Sequence, residues 1–324
     1  VSQAAVSVRS PRRWLRWAAP VVIGIVAIVL LRDRLPHWSD VIVAAREAKP
    51  WWLVLAAVAE IGSLSMFARQ QRRLLRAFGV QISLPRAMAI SLSRSAIAIS
   101  MPAGTAISAA FAFQQFRARG ASRGVATAVM ILSGVVSFLG LGLLYLVGGT
   151  VSGLVSGCAL LLVAAVTIGL VAVIWRGSWR PKPDGRLGRM VEAARGVAPK
   201  HWALALSFAV VNWLADLICL LAVVRAFNLP LPLTAIAGTY LAVQVVRQIP
   251  LTPGGIGLIE TGLVAGLVSA GASDAPATAA VLGYRVLSCW LIIPFGMFAW
   301  TMLRRSPAVA EAATPTPTLV EAPA

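Results

Sequence analysis

The chain has 324 residues, of which 59% are apolar and only 12% charged, where soluble domains carry about 45–50% and about 25%. That balance excludes a soluble globular protein and reads as an integral membrane protein. The 29 Lys and Arg against 11 Asp and Glu give a formal charge of +18. The positive charges stand in short runs between apolar blocks, so they read as topology signals and not as a nucleic-acid surface. The cysteines Cys158, Cys219 and Cys289 all fall in apolar stretches, and His37 and His201 are the only histidines. No disulfide framework, metal site or cofactor is therefore expected.

In chain order, residues 1–16 form a basic cytoplasmic tail with Arg9, Arg12, Arg13 and Arg16. The apolar run 17–31 lacks a small-residue cleavage site after it and reads as an uncleaved anchor. Further apolar blocks cover 51–68, 84–116, 127–149, 154–175, 202–226, 231–271 and 277–303, followed by a disordered cytoplasmic tail over 304–324. Residues 17–303 thus form a single membrane domain. The longest hydrophilic stretch, Arg176–His201, is too short to hold a soluble catalytic domain. Trp51, Trp52, Trp175, Trp179, Trp202 and Trp300 stand at or near block ends, as an interfacial belt does.

Two blocks are too long to be simple spans. As single helices 84–116 and 231–271 would measure about 50 and about 60 Å, against a hydrocarbon core of about 30 Å. Each is broken near its middle, by Ser100-Met101-Pro102-Ala103-Gly104 and by Pro250-Leu251-Thr252-Pro253-Gly254-Gly255. Each is predicted to be a re-entrant hairpin of two short helices. With a cytoplasmic N-terminus, that arrangement puts 21 of the 29 Lys and Arg inside, five outside and three (Arg94, Arg247, Arg285) within the membrane. Single crossings would move 117–123 and 176–200 outside, against the positive-inside rule.

The chain also resembles itself. Arg76-Ala77-Phe78-Gly79 returns as Arg225-Ala226-Phe227-Asn228, and Pro102-Ala103-Gly104 as Pro253-Gly254-Gly255. Gly120-Ala121-Ser122 and Gly271-Ala272-Ser273 each follow 18 residues after their proline, and Ala126-Thr127-Ala128 is matched by Ala277-Thr278-Ala279. The predicted fold is an all-α polytopic membrane protein of about eight hydrophobic segments, six full spans plus two hairpins. Span, broken hairpin and span occur twice, over 51–149 and 202–303. The odd number of spans between the hairpins makes them an inverted-topology repeat, an architecture of alternating access.

Over Arg247-Gln248-Ile249-Pro250-Leu251-Thr252-Pro253-Gly254-Gly255-Ile256-Gly257-Leu258-Ile259-Glu260 the chain resembles the transmembrane, flippase-like region of lysylphosphatidylglycerol synthases. Block order and the weaker Pro102-Ala103-Gly104 copy extend the likeness over roughly 15–303. The resemblance implies a stand-alone lipid translocase of a bacterial plasma membrane, moving a modified or aminoacylated lipid between leaflets. The aminoacyl-transferase domain of the full synthases is missing, and Thr105-Ala106 follows the first break with no acidic partner like Glu260.

Six ionisable groups fall deep within the apolar blocks, away from their ends: Glu60, Arg94, Asp216, Arg247, Glu260 and Arg285. Each costs at least about 2.5–3.5 kcal/mol to insert and so marks a functional candidate, or a pair such as Arg247 with Glu260 that only joins helices. Half-helices starting near Ala103 and Gly254 would aim free N–H groups at the membrane centre. Pro102 and Pro253 suit helix starts and Ser100 and Thr252 suit caps, while Gly104, Gly254, Gly255 and Gly257 allow close backbone approach. Together with Arg94, Arg247, Gln248, Glu260 and Arg285 they form the predicted binding site for a lipid phosphate; Glu60 and Asp216 are candidates for a proton or a cationic headgroup. The plainer reading is that the Gly and Pro serve tight packing. Gly140, Gly142, Gly148 and Gly149 are read as packing glycines.

No nucleophile–base pair and no phosphate-binding loop are present, so neither an enzyme nor a built-in ATPase is expected. The predicted partners are membrane lipids with anionic phosphate headgroups, and no nucleic acid. Two other readings stay open: a secondary transporter of a small anion, and a non-transporting subunit that anchors a cell-envelope enzyme.

Overall fold

The structure is a computed structural model that describes residues 38–101, 103–151, 197–247 and 253–305. The expected spans 17–31 and 154–175, the basic stretch 176–196, both tails, and the candidate residues Pro102, Gln248 and Thr252 lie outside the described residues.

Among the described residues every regular element is helical. In chain order they are α1 (Trp38–Arg46), α2 (Pro50–Ala77), α3 (Leu84–Ser100), α4 (Gly104–Arg117), α5 (Arg123–Val151), α6 (Pro199–Ala226) and α7 (Leu233–Arg247). A short 3-10 turn at Pro253–Gly255 leads into α8 (Leu258–Ser269). Then come α9 (Asp274–Arg285), a π-turn (Val286–Trp290) and α10 (Ile292–Arg305). Four stretches are long and apolar enough to cross a bilayer: Pro50–Ala77, Arg123–Gly148, Pro199–Ala226 and the continuous Asp274–Arg305. The chain is an integral membrane protein.

Burial is turned inside out relative to a soluble bundle. On α2, Trp51, Val54, Val58 and Ile61 are exposed at helical spacing, while Glu60, Ser63, Gln70 and Gln71 on the same helix are buried. With hydrocarbon as solvent, an apolar stripe has no reason to turn inward, and polar groups must find partners inside. They do. Gln70 donates to the Ser133 carbonyl at 2.9 Å and to Ser137 Oγ at 3.1 Å, joining α2 to α5. Trp213 Nε1 donates to the Ser137 carbonyl at 2.9 Å, and the Tyr145 hydroxyl to the Leu241 carbonyl. Small residues let the backbones close: a Cβ on Gly140 would lie 2.9 Å from Ala209 Cβ, and one on Gly296 2.4 Å from the Leu92 carbonyl oxygen. Both are packing glycines, whereas Gly142 faces open space.

The two blocks expected to break do break. Helices α3 and α4 have 17 and 14 residues, α7 and α8 have 15 and 12. At 1.5 Å per residue each is shorter than a core of about 30 Å. Helix α8 runs back along α7: a Cβ on Gly262 would touch Val243 at 3.1 Å, and one on Gly266 would meet Thr239 at 2.3 Å. Those pairings fix an antiparallel register centred on the break. At the first break Ala103 takes the left-handed region (φ 55°), and a Cβ on Gly104 would sit 2.5 Å from the Ala98 carbonyl oxygen.

The elements also correspond in pairs. Helices α2 and α6 are both 28 residues long, begin on proline and pack on each other. Each ends at a left-handed residue, Gly79 (φ 80°) or Asn228 (φ 56°). Each closes with a bond back across the cap, Val80 N to Leu75 O at 3.0 Å and Leu229 N to Val224 O at 3.2 Å. Gly120 and Gly271 end α4 and α8 likewise, with Ala121 N to Phe116 O at 3.2 Å and Ala272 N to Leu267 O at 3.0 Å. The repeated Arg-Ala-Phe and Gly-Ala-Ser segments of the sequence are these helix stops.

Candidate functional site

The buried charges gather where α6, α7, α8 and α9 meet. Asp216, one of few polar residues on the apolar helix α6, is held by four groups. Tyr284 on α9 donates its hydroxyl to Oδ1 at 2.7 Å. Tyr240 donates to Oδ2 at 2.9 Å and Gln244 Nε2 to the same oxygen at 3.3 Å. Arg247 Nη1 lies 3.5 Å from Oδ2. Tyr240, Gln244 and Arg247 are spaced by four and three residues, so one face of α7 presents all three to Asp216. A buried carboxylate is tolerable here because each of the four groups bonded to it is a donor.

A second pair sits one residue along α9. Arg285, whose side chain is 1% exposed, puts Nε 2.6 Å from Glu260 Oε1 and donates Nη2 to the Gly254 carbonyl at 2.9 Å. The other Glu260 oxygen accepts from the Gly257 N–H at 2.7 Å, capping the start of α8. Arg285 therefore ties the glycine break to α9. Gly254, Gly255 and Gly257 all have positive φ (62°, 69° and 88°), so this backbone needs glycine.

The expected pairing of Arg247 with Glu260 is not the one formed. Arg247 pairs with Asp216, and Glu260 with Arg285. The three left-handed glycines reset the helix phase, turning Glu260 towards α9 while Arg247 still faces α6. The second half-helix also starts at Leu258, after Gly257, and not near Gly254. In the first break Ser100 ends α3 and does not cap α4, whose N-cap is Ala103 with no side-chain bond.

The glycines separate by what surrounds them. Gly104 lies against the backbone of α3, Gly255 faces the Ile259 side chain, and Gly254 packs on Ile99 of α3, where a Cβ would come within 3.1 Å of Ile99 Cγ2. Only Gly257 of these four opens on free space. The Gly254–Ile99 contact brings the second break against the end of α3, next to the first. Pro253 opens the 3-10 turn.

Arg94 stands apart from this cluster, with its guanidinium 5.5 Å from the centre of the Phe67 ring. Glu60 on α2 is buried, lies beside Cys219 and within electrostatic reach of Asp216 and Arg247, and leaves Oε2 without a hydrogen-bond partner. Of the two arginines in the cluster Arg247 is the accessible one: 38% of its side chain is exposed, and among the described residues Nη1 engages Asp216. Sequence reading missed Tyr240, Gln244 and Tyr284, because neutral polar residues carry no insertion penalty large enough to stand out. Their spacing to Arg247 and Arg285 was the available signal. Among the described residues no cluster of His, Cys, Asp and Glu is arranged to hold a metal.

Fold and site define an all-helical integral membrane protein with an ion-pair cluster beside a broken helix. Residues 17–296 match the family described as the lysylphosphatidylglycerol synthase TM region, and the chain belongs to that family. A segment of 98 residues is also 28% identical to a UPF0104 membrane protein of Methanothermobacter thermautotrophicus, covering 30% of this chain and 28% of that relative. The match thus spans well under two thirds of the relative's length.

Proposed function

We propose that the protein moves a phosphate-bearing polar or aminoacylated lipid between the leaflets of a plasma membrane. The observation that carries this is Arg247: a half-exposed guanidinium, anchored by Asp216, beside a glycine break whose Gly257 opens on free space. A guanidinium offers a planar fork to a phosphate, and N–H groups at the start of α8 add partial positive charge. In this reading Arg247 and Gly257 face the headgroup, with Gln248 and Thr252 on the adjoining stretch. Arg285, Glu260, Pro253, Gly254 and Gly255 hold the break in shape. Pro102 and Gly104 do the same for the first break, and Arg94 meets anionic headgroups near α3. Glu60 and Asp216 take a proton or a cationic headgroup.

The matched helix stops, the equal lengths of α2 and α6 and the two short-helix pairs support an inverted repeat of re-entrant hairpins. Ser63 Oγ also donates to Asn212 Oδ1 at 3.1 Å. These residues occupy equivalent positions in α2 and α6, the contact expected across a pseudo-two-fold axis. Proteoliposomes carrying a fluorescent phospholipid in one leaflet test the function: lipid exchange across the bilayer is expected to be faster with the protein than without it. Protein-free rates in both would refute translocation. For orientation, single cysteines replacing Ser122 and Ser273 are expected to react with an impermeant thiol reagent only from the cytoplasmic and only from the outer side respectively. Labelling of both from one side would overturn the inverted repeat.

A further inference from the structure

A groove of about 450 Å³ runs between α2, α3 and the π-turn with α10. Its walls are apolar, Leu92 and Met88 on one side and Leu291 and Phe295 on the other, with one exception: among the described residues Glu60 on α2 is the only ionisable group lining it. The π-turn adjoins this wall: Leu287 within it and Leu291 directly after it both line the groove. Phe295, Phe298 and Ile61, which line it, are each 61% exposed, so it lies open towards the surrounding hydrocarbon. Glu60 is 7% exposed and its Oε2 has no partner.

A carboxyl group with an unmatched oxygen is out of place on the wall of a groove filled only by passing lipid tails. An apolar residue there would insert more cheaply. An unpartnered acceptor of this kind is satisfied by a ligand that brings a donor. The same carboxyl lies within electrostatic reach of Arg247 and Asp216, so the wall of the groove adjoins the charged cluster. From this we infer that the groove seats one hydrocarbon chain of a membrane lipid whose headgroup carries a hydrogen-bond donor, an ammonium or a hydroxyl, that is received by Glu60. The inference rests on the lipid-translocation reading for its choice of headgroup path, towards Arg247. The occupant is an amphiphile because the walls demand a chain and Glu60 demands a donor.

The test uses the full-length protein in nanodiscs containing a phospholipid with a diazirine on one acyl chain. Three headgroups are compared: ethanolamine (an ammonium donor), glycerol (hydroxyl donors) and choline (neither). Mass spectrometry reads the label on residues 287–302. Donor-bearing lipids are expected to label this stretch about tenfold more than the choline lipid, the factor that one hydrogen bond of about 1.4 kcal/mol supplies. Preference for ethanolamine assigns the donor as an ammonium, and preference for glycerol as a hydroxyl. Glu60→Leu is expected to bring all three headgroups to the choline level while the protein stays folded. Excess unlabelled donor lipid is expected to compete the label away in wild type. Equal labelling by all three in wild type would mean annular lipid only and overturn the inference. Headgroup-selective labelling without lipid exchange in proteoliposomes would leave the groove standing and remove the translocase reading; exchange without selectivity would do the reverse.

Discussion

Asp216→Leu is expected to destabilise the protein by about 3–5 kcal/mol, the combined cost of buried donors left without their acceptor at about 1–3 kcal/mol each. The loss exceeds that of a single bond because four groups converge on this carboxylate. Without it, the Tyr284 hydroxyl loses its acceptor, that of Tyr240 keeps only the Trp213 carbonyl at 3.4 Å, Gln244 Nε2 loses its acceptor, and Arg247 loses its paired carboxylate. Asp216→Asn keeps an acceptor oxygen and should cost less, about 1–3 kcal/mol. Thermal unfolding in detergent, followed by tryptophan fluorescence, orders the variants. Adding Tyr240→Phe and Tyr284→Phe to Asp216→Leu should restore part of the stability, since a well-packed apolar replacement removes the stranded donors. An unchanged melting temperature for Asp216→Leu would show that the cluster does not hold α6, α7 and α9 together.

What the sequence made legible follows from which forces are local. Among the described residues, apolar block lengths and the two Pro-Gly interruptions match the helices and where they stop, because a bilayer leaves the backbone no alternative to a helix or a protected turn. The repeated Arg-Ala-Phe and Gly-Ala-Ser segments proved to be helix stops, where the left-handed Gly79, Asn228, Gly120 and Gly271 leave a local signature. The ion pairs were not legible. Arg247 and Glu260 are close in sequence, but Gly254, Gly255 and Gly257 change the phase of the helix between them, so spacing no longer says which face is shared. The π-turn after Arg285 was hidden for the opposite reason, since Val286–Trp290 contains neither proline nor glycine to mark it. The candidate residues were therefore found by their insertion cost, while their partners needed the fold.

That distinction shapes the expected behaviour of Arg247. Of the two arginines in the cluster, Arg285 is sealed between Glu260 and the Gly254 carbonyl, with no surface left for a ligand. Among the described residues Arg247 pairs with Asp216 at 3.5 Å, and it keeps over a third of its side chain accessible. Arg247→Ala is accordingly expected to reduce lipid exchange in proteoliposomes by at least about tenfold, the worth of one charge-assisted hydrogen bond to a phosphate. Arg247→Lys keeps the charge and loses the planar fork, so exchange should fall to an intermediate rate. Stability separates this from a structural role. Asp216 retains three neutral donors when Arg247 is removed, so Arg247→Ala should unfold at a temperature closer to wild type than Asp216→Leu does. The decisive variant replaces both members of the observed pair, Asp216→Leu with Arg247→Leu. If that protein folds and exchanges lipid at the wild-type rate, the pair serves only to join α6 and α7, and the headgroup must be held elsewhere. If it folds and exchange is lost, the accessible guanidinium carries the phosphate and Asp216 holds it in place between transport events.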